Sequence, residues 1–450
     1  MNKQKIFNKK ILLWIIFILY ALFNLFLMLK HEPWRDEIHA WLMSKELSIP
    51  ELFKESRFDG HPILWHLILM PFAKSGFPII TLNIIGYVIT VISAWIFLFK
   101  TNLSTMFKII VIFTIPFTYT YSAISRNYTL ILFLLVLISI LYDQRFKKPI
   151  LYSLLISLLI HTHALAWGIV AGLTITFHFH EIYLYFKNKN NADIKKIILG
   201  LSLIILNTIL VVFELYGTTN TDYGVGKNTY VIYCTSLMLF IVCILLALTF
   251  TYKKNYRELF ILFSGFVFQI IIYNFVYSSI LYQRYILIFV LLLFYLILLS
   301  KCDIKKKDLD IICIVYLLFM CLFASKSYIN SISDDLKYPY SSAKEMATYI
   351  NKNLPENSTV LIEASVIGQS IIPYLDNAKL YDITYNSYVN CANVSDNKSK
   401  IINALNNLDS SYSGHYIIIC NNFVSLNNCD LIYETKNSII NEKFTMYYIP

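Results

Sequence analysis

Residues 11–37 read ILLWIIFILYALFNLFLMLKHEPWRDE, an apolar run over 11–29 handing over at once to His31, Glu32, Pro33, Trp34, Arg35, Asp36 and Glu37. The run has close to the ~20 residues that cross a bilayer's hydrocarbon core. Two adjacent acids beside a lipid surface, in a loop crowded with Arg, His and Trp, require a reason. The rest of the chain sets the context for finding it.

The chain has 450 residues, of which 57% are hydrophobic and only 15% charged, and its mean hydropathy is +0.58. Soluble domains carry about 25% charged residues. Apolar runs recur from Ile11 to Ser325, which excludes a cytosolic enzyme and implies a polytopic α-helical membrane protein. The sequence predicts about eleven transmembrane helices, at 11–29, 78–99, 108–125, 128–142, 149–163, 164–186, 196–215, 229–252, 258–278, 284–300 and 308–325. The net charge of +10 does not indicate nucleic acid, because the basic residues cluster in short loops between these runs.

The lysine and arginine distribution orients the chain. Twenty lie in the N-terminus and the loops near 100–108, 143–148, 187–196, 253–257 and 301–307, against three in the opposite short connections. By the positive-inside rule the first set is cytoplasmic. The N-terminus is then inside, while the 30–77 loop and the tail from Lys326 are outside. The basic start before residue 11 also fits a signal peptide, but the run is long and no small-residue cleavage site precedes His31, so the segment reads as a retained span.

The 30–77 loop carries its own helices. Ser48-Ile49-Pro50-Glu51 predicts a helix start, with Ser48 as cap and Pro50 in the first turn. Residues 62–72 are apolar but too short to span, and read as an interfacial helix; a crossing there would invert the parity of every later loop. The tail, 326–450, holds nine lysines, no arginine and twelve acids. Short β-branched or aromatic runs at 360–363, 416–420 and 444–449 alternate with helical stretches at 366–375 and 397–408, predicting a small α/β extracytoplasmic domain. Residues 1–325 form the membrane domain in this reading. The eight cysteines include no C-x-x-C pair, so neither a zinc knuckle nor a redox motif is indicated, and free thiols are the favoured state.

Asp36 is the first candidate for chemistry. Group transfer to a hydroxyl or amine needs a base that takes the acceptor's proton as the new bond forms. A carboxylate against a bilayer is partly desolvated, which strengthens it as a base. The bland alternative is a solvated loop acid or an acid placed on a helix N-terminal dipole. Placement after the first span, between Trp34 and Trp41, favours chemistry.

Arg57, Asp59, His61 and His66 form a second cluster. His61-Pro62 either presents an imidazole to the site or only starts a helix, and His66 points elsewhere if both are helical, against a two-histidine metal site. His161-Thr162-His163 ends the fifth predicted span. These histidines either touch a donor phosphate, share a metal with Asp36 or Glu37, or lie in an interfacial turn, and they converge only if the helix breaks there. Arg126 and Arg284 stand at outer span ends, either holding a departing lipid phosphate or snorkelling to headgroups. Glu214, ending the seventh predicted span, either binds an acceptor or reaches water, and the second is favoured. The 217–227 loop, with three glycines, reads as a mobile lid without P-loop spacing.

The order of one basic-flanked span, an outer loop opening on Asp36-Glu37, and an interfacial helix resembles the GT-C glycosyltransferases, within them the protein O-mannosyltransferase and aminoarabinose-lipid A transferase branch. Glu32-Pro33-Trp34-Arg35-Asp36-Glu37 and Asp59-Gly60-His61-Pro62-Ile63-Leu64-Trp65-His66 carry the likeness; the tail matches only as an outer soluble domain. The resemblance implies a GT-C-type membrane domain and a sugar donor on a polyprenyl phosphate. It assigns the base to Asp36, with Glu37 supporting it. Arg284, Arg57, Arg126, His161 and His163 are the donor-phosphate candidates, and Asp59, His61 and Trp34 the substrate-binding ones.

The expectation is an inverting, multi-pass cell-membrane transferase acting on a glycan, lipid or protein acceptor. No cofactor is required, and a divalent metal is optional. A transporter or flippase of lipid-linked glycans is the alternative. It should show internal repeats and midplane charges, whereas here the ionisable residues collect at the outer interface.

Overall fold

The computed structural model describes residues 3–59, 61–187, 193–216, 256–271, 287–362, 365–376, 378–391, 398–406, 408, 412–421, 426, 429–440 and 442–450. Arg284, the 217–227 loop and the span expected at 229–252 lie outside the described residues. The described chain is mostly helical and ends in a small sheet domain.

The chain opens with α1 (Lys3–Lys30), α2 (Arg35–Glu46), α3 (Ile49–Asp59), α4 (Leu64–Lys74) and α5 (Ile80–Lys100). At the start of α3 the Ser48 hydroxyl and backbone N–H both donate to Glu51 Oε2 at 2.7 Å. Ser48 therefore sits at the N-cap position: its carbonyl accepts Leu52 N–H at 2.8 Å and Glu51 supplies the reciprocal half of a capping box, while the hydroxyl donates to that acid. α4 ends in a Schellman turn, in which Gly76 takes a φ of +78° and Phe77 N–H reaches back to Phe72 O. The Phe72 and Phe77 rings meet edge-on at 5.9 Å, the apolar contact that accompanies this motif.

A single span was expected over 108–125. The structure instead has α6 (Thr105–Ile112) and the four-residue α7 (Ile115–Thr118), with turns up to Asn127. Pro116 has no N–H to continue a helix but is accepted in the first turn of a new one. Next come α8 (Tyr128–Leu141), α9 (Pro149–Ile160), α10 (Trp167–Thr174), α11 (His180–Phe186) and α12 (Ile194–Leu215), with a π-helical turn over Ile175–Phe179 joining α10 to α11. Beyond them lie α13 (Tyr256–Ile271), α14 (Leu287–Leu299) and α15 (Lys306–Lys337). By length and composition three described helical stretches suffice to cross a membrane: Phe7–Lys30, Ile80–Lys100 and Ile194–Leu215.

The tail supplies α16 (Ala343–Asn353), β1 (Thr359–Ile362), α17 (Ser365–Gly368), β2 (Lys379–Asp382), β3 (Ser387–Tyr388), α18 (Lys398–Asn406), β4 (Tyr416–Cys420), β5 (Asp430–Glu434) and β6 (Phe444–Tyr448). The sheet order is β3-β2-β1-β4-β6-β5. β1 runs parallel to β2 and β4, and β6 antiparallel to β4 and β5. Period-2 alternation sends Val360, Ile362, Ile418 and Cys420 to one face with α16, and Leu361, Ile417 and Ile419 to the other with Ile401 and Leu405 of α18. α16, β2, β3 and β5 were not read from the sequence, because a two-residue strand, two strands that begin and end on charged residues, and an amphipathic polar helix lack a long apolar signal.

The chain divides into two compact units. The first holds Met1–Leu25, Phe53–Trp65 and Gly86–Tyr328, and the second holds Phe26–Leu52, His66–Ile85 and Ile329–Pro450. The tail is therefore one part of a unit that also includes α2 and most of α4.

In the first unit α10 presents Gly168 and Gly172, four residues apart, to α13. A Cβ on Gly168 would stand 2.6 Å from Ser264 O, and one on Gly172 would stand 2.9 Å from Ile261 Cα. Small residues at this spacing let helix backbones approach closely in lipid. Gly168→Val is expected to destabilise by about 1–3 kcal/mol through overpacking. A thermal melt in detergent should show a clear drop for Gly168→Val but little change for Ala171→Val, since Ala171 is exposed.

Candidate active site

The Trp34–Glu37 motif starts α2. Asp36 and Glu37 fall in its first turn, where carboxylates are favoured by the free N–H groups and the helix dipole. The two neighbours are held very differently.

Glu37 is fully buried. Its Oε2 accepts the Trp34 backbone N–H at 3.3 Å, the half of a capping box that an acid at this position supplies. The same oxygen lies 3.0 Å from His31 Nε2, and His31 Nδ1 lies 2.9 Å from Asp335 Oδ2. An imidazole facing a carboxylate at each nitrogen donates at both, which only the imidazolium does. Burial alone would lower the His31 pKa, but Asp335 and Glu37 overcome it and raise it to about 10. The Tyr340 ring closes over His31 edge-on at 4.7 Å. Glu37 is thus an internal anchor, tying the end of α1 to the start of α2 and, through His31, to α15.

Asp36 remains 28% exposed at its side chain. Arg35 Nε stands 3.5 Å from Asp36 Oδ1, and the guanidinium lies 5.7 Å from the centre of the Trp34 ring. Trp34 itself is buried. Further ties between loop and tail hold α2 in place within this unit. His39 Nδ1 meets Gln369 Oε1 at 2.8 Å, Glu32 Oε1 accepts the Lys344 N–H at 3.1 Å, and Glu46 Oε2 accepts the Cys391 N–H at 3.1 Å.

Burial raises the Glu32 and Glu442 carboxyls to about 7. All three shifts act in one direction, because each folded pKa exceeds its unfolded value. The glutamates add stability that is full below about 4.5 and lost as pH rises through about 7. His31 adds stability that is full below about 6.5 and lost as pH rises through about 10. Melting temperature in detergent is therefore expected to fall from pH 5 to pH 10, and Glu442→Gln should flatten the lower half of that fall. A melting temperature that rises across the range would contradict these assignments.

The other candidates, His66 apart, lie in the first unit. The α9 helix ends at Ile160, and His163 is extended, with φ −160° and ψ 144°. The break that convergence of His161 and His163 would require is present, yet the two imidazoles go to different neighbours. His163 is buried; its Nδ1 accepts Leu165 N–H at 3.1 Å, and its ring lies 4.9 Å from His61 and 5.4 Å from Tyr128. His161 Nε2 meets Asn207 Oδ1 at 2.9 Å, while its Nδ1 lies 3.9 Å from Glu214 Oε2.

Glu214 is buried and does not reach water, the role expected from its place at the end of α12. Its Oε1 accepts Ile63 N–H at 2.6 Å, capping the turn that launches α4. Arg126 is buried in the loop before α8, beside Asn127, whose side chain donates to Thr162 O at 2.9 Å. Arg57 is exposed on α3. Asp59 ends α3, with its side chain outside the described residues, and His66 is buried on α4. Among the described residues no three or more His, Cys, Asp or Glu side chains stand together in a metal-holding group.

Sequence reasoning missed His31, Asp335, Glu442 and Gln369 as parts of this site. Asp335 and Glu442 lie 304 and 407 residues from their partners His31 and Arg35, and no local pattern marks such pairs. The one available signal was His31 itself, a lone imidazole between a span and the acid pair.

No protein-family model matches the chain, and no match is found among curated proteins.

Proposed function

We propose that this chain is an inverting glycosyltransferase of GT-C type, with about eleven spans, that moves a sugar from a polyprenyl-phosphate donor to an acceptor at the outer face of a cell membrane. The observation that carries the reading is the division of labour within the acid pair. Glu37 is sealed inside as an anchor, and Asp36, its neighbour on the helix start fixed by that anchor, keeps a partly exposed carboxylate.

In this reading Asp36 takes the proton from the acceptor hydroxyl or amine as that atom attacks the anomeric carbon. The bond to the lipid phosphate breaks on the opposite side, and its electron pair leaves with the phosphate oxygen, so configuration inverts. Removing charge from the leaving phosphate falls to Arg284, Arg57, Arg126, His161 and His163, with guanidinium forks suited to phosphate oxygens. His61, Asp59 and Trp34 shape the sugar and acceptor sites. The lysine and arginine count of the sequence assigns the 30–77 loop and the 161–163 turn to the same side of the membrane. A monophosphate leaving group needs no metal when cations are at hand, and a divalent ion remains an option.

Mass spectrometry of envelope glycans and polyprenyl-phosphate sugars, with and without the gene, tests the reading. The expected result is loss of one sugar substituent together with a build-up of the matching lipid-linked sugar. Identical glycan and lipid-sugar profiles in both strains would overturn it.

A further inference from the structure

We propose that Glu442, on the tail segment entering β6, is a positioning residue that sets the state of the Asp36 carboxylate through a guanidinium shared between them, that of Arg35. The inference rests on the reading of Asp36 as the base. Arg35 Nε stands 3.5 Å from Asp36 Oδ1 and 3.6 Å from Glu442 Oε1, so neither acid holds the cation alone. The Arg35 backbone N–H also donates to Glu442 Oε2 at 3.4 Å. Glu442 is not a surface acid that swings in by chance: its side chain is 3% exposed. Its backbone carbonyl accepts from Ser342 N–H and from the Ser438 hydroxyl, which pins the segment. Oε1 takes no hydrogen bond from the described residues, and the Arg35 cation stands beside that oxygen as a counter-charge.

A buried carboxylate is retained at a cost of several kcal/mol unless a cation or donors compensate it. What Glu442 gains from Arg35, Asp36 loses. A guanidinium bound wholly to Asp36 would stabilise its anion and weaken it as a base. Ionised Glu442 draws the cation partly away and keeps Asp36 basic, whereas neutral Glu442 releases Arg35 to Asp36. The groups facing Glu442 are Arg35 and Asp36 from α2, the Ser341 hydroxyl, and Tyr374, which also feels Glu32 and Glu37. Burial lifts the Glu442 carboxyl to about 7 against the pull of Ser341 and Arg35, which puts the exchange near neutral pH.

The test uses full-length protein with host envelope acceptor in vesicles made with the total lipid extract of host membranes, which carries the polyprenyl-phosphate sugars. Donor consumption is followed by mass spectrometry as a function of pH. In the wild type, turnover should rise as pH passes through about 7. Glu442→Gln should lower kcat roughly tenfold with KM unchanged and abolish that limb, and Glu442→Asp should restore most of it. Arg35→Gln, at a half-exposed position, removes the link without disturbing the buried acid's own segment, and should also lose the limb.

If Asp36→Asn is inactive while Glu442→Gln melts normally and matches the wild type at every pH, the inference is overturned and the base survives. Should Glu442→Gln fail to fold, a retained limb in Arg35→Gln overturns the inference equally. An active Asp36→Asn removes the base and this proposal together.

Discussion

Asp36→Asn is expected to lower sugar transfer by roughly 10²–10⁴-fold, the usual contribution of a positioned general base, with membrane abundance and melting temperature close to wild type. Asparagine keeps the shape of the side chain and removes only its capacity to take a proton. The structural loss is small, because Asp36 is partly exposed, and a carboxylate on a helix N-terminus contributes only about 0.3–1 kcal/mol. Glu37→Gln provides the contrast. It removes charge from an acid that is fully buried against His31, so its first effect is on folding, and any loss of transfer should follow the loss of folded protein. Transfer measured per folded molecule separates the two: a large drop for Asp36→Asn and a smaller one for Glu37→Gln. Equal drops per folded molecule would assign the chemistry to the pair and not to Asp36.

The largest effect on stability is expected at His31. Its ring sits between Glu37 and Asp335, and all three side chains are buried to 5% exposure or less. Removing one partner of a buried ionic group leaves uncompensated charge and costs about 3–5 kcal/mol. His31→Ala strands two carboxylates at once, so the melting temperature in detergent should fall by many degrees or the protein should fail to accumulate. Stranded charge and lost packing predict opposite outcomes: if charge dominates, adding Glu37→Gln and Asp335→Asn to His31→Ala should recover part of the loss, although it deletes more polar contacts. A further drop in the triple variant would show that packing under Tyr340, and not charge, makes His31 necessary.

The helical, apolar character of the chain was legible because it rests on long runs, and the three described helices long and apolar enough to cross a membrane fall where such runs stand, at the chain start, 80–100 and 194–215. The helix starts at Ile49 and near Pro62 were legible for the same local reason, a cap residue or proline beside an apolar stretch. The central strands β1, β4 and β6 announced themselves by β-branched and aromatic runs, whereas β3 has only two residues and β2 and β5 begin and end on charged residues that cut their apolar runs short. The split between α6 and α7 was also readable from Pro116, and was masked by the apolar residues on both sides.

Within the candidate site, the sequence singled out the acid pair but had no means of distinguishing its members. What separates Asp36 from Glu37 is the set of groups that folding brings to each. His31 and Asp335 enclose Glu37, while Arg35 stands beside Asp36 and is shared with Glu442. Glu214 shows the same limit: an acid at a helix end reads as solvated until the backbone N–H of Ile63 is seen 2.6 Å from its oxygen.

The central claim is most directly tested by one comparison: purified wild type and Asp36→Asn, each reconstituted with radiolabelled polyprenyl-phosphate sugars extracted from host membranes and with host envelope acceptor. Label should pass from lipid to acceptor with the wild type and stay on the lipid with Asp36→Asn. Transfer at the same rate by both proteins, or no transfer by folded wild type, would contradict the account.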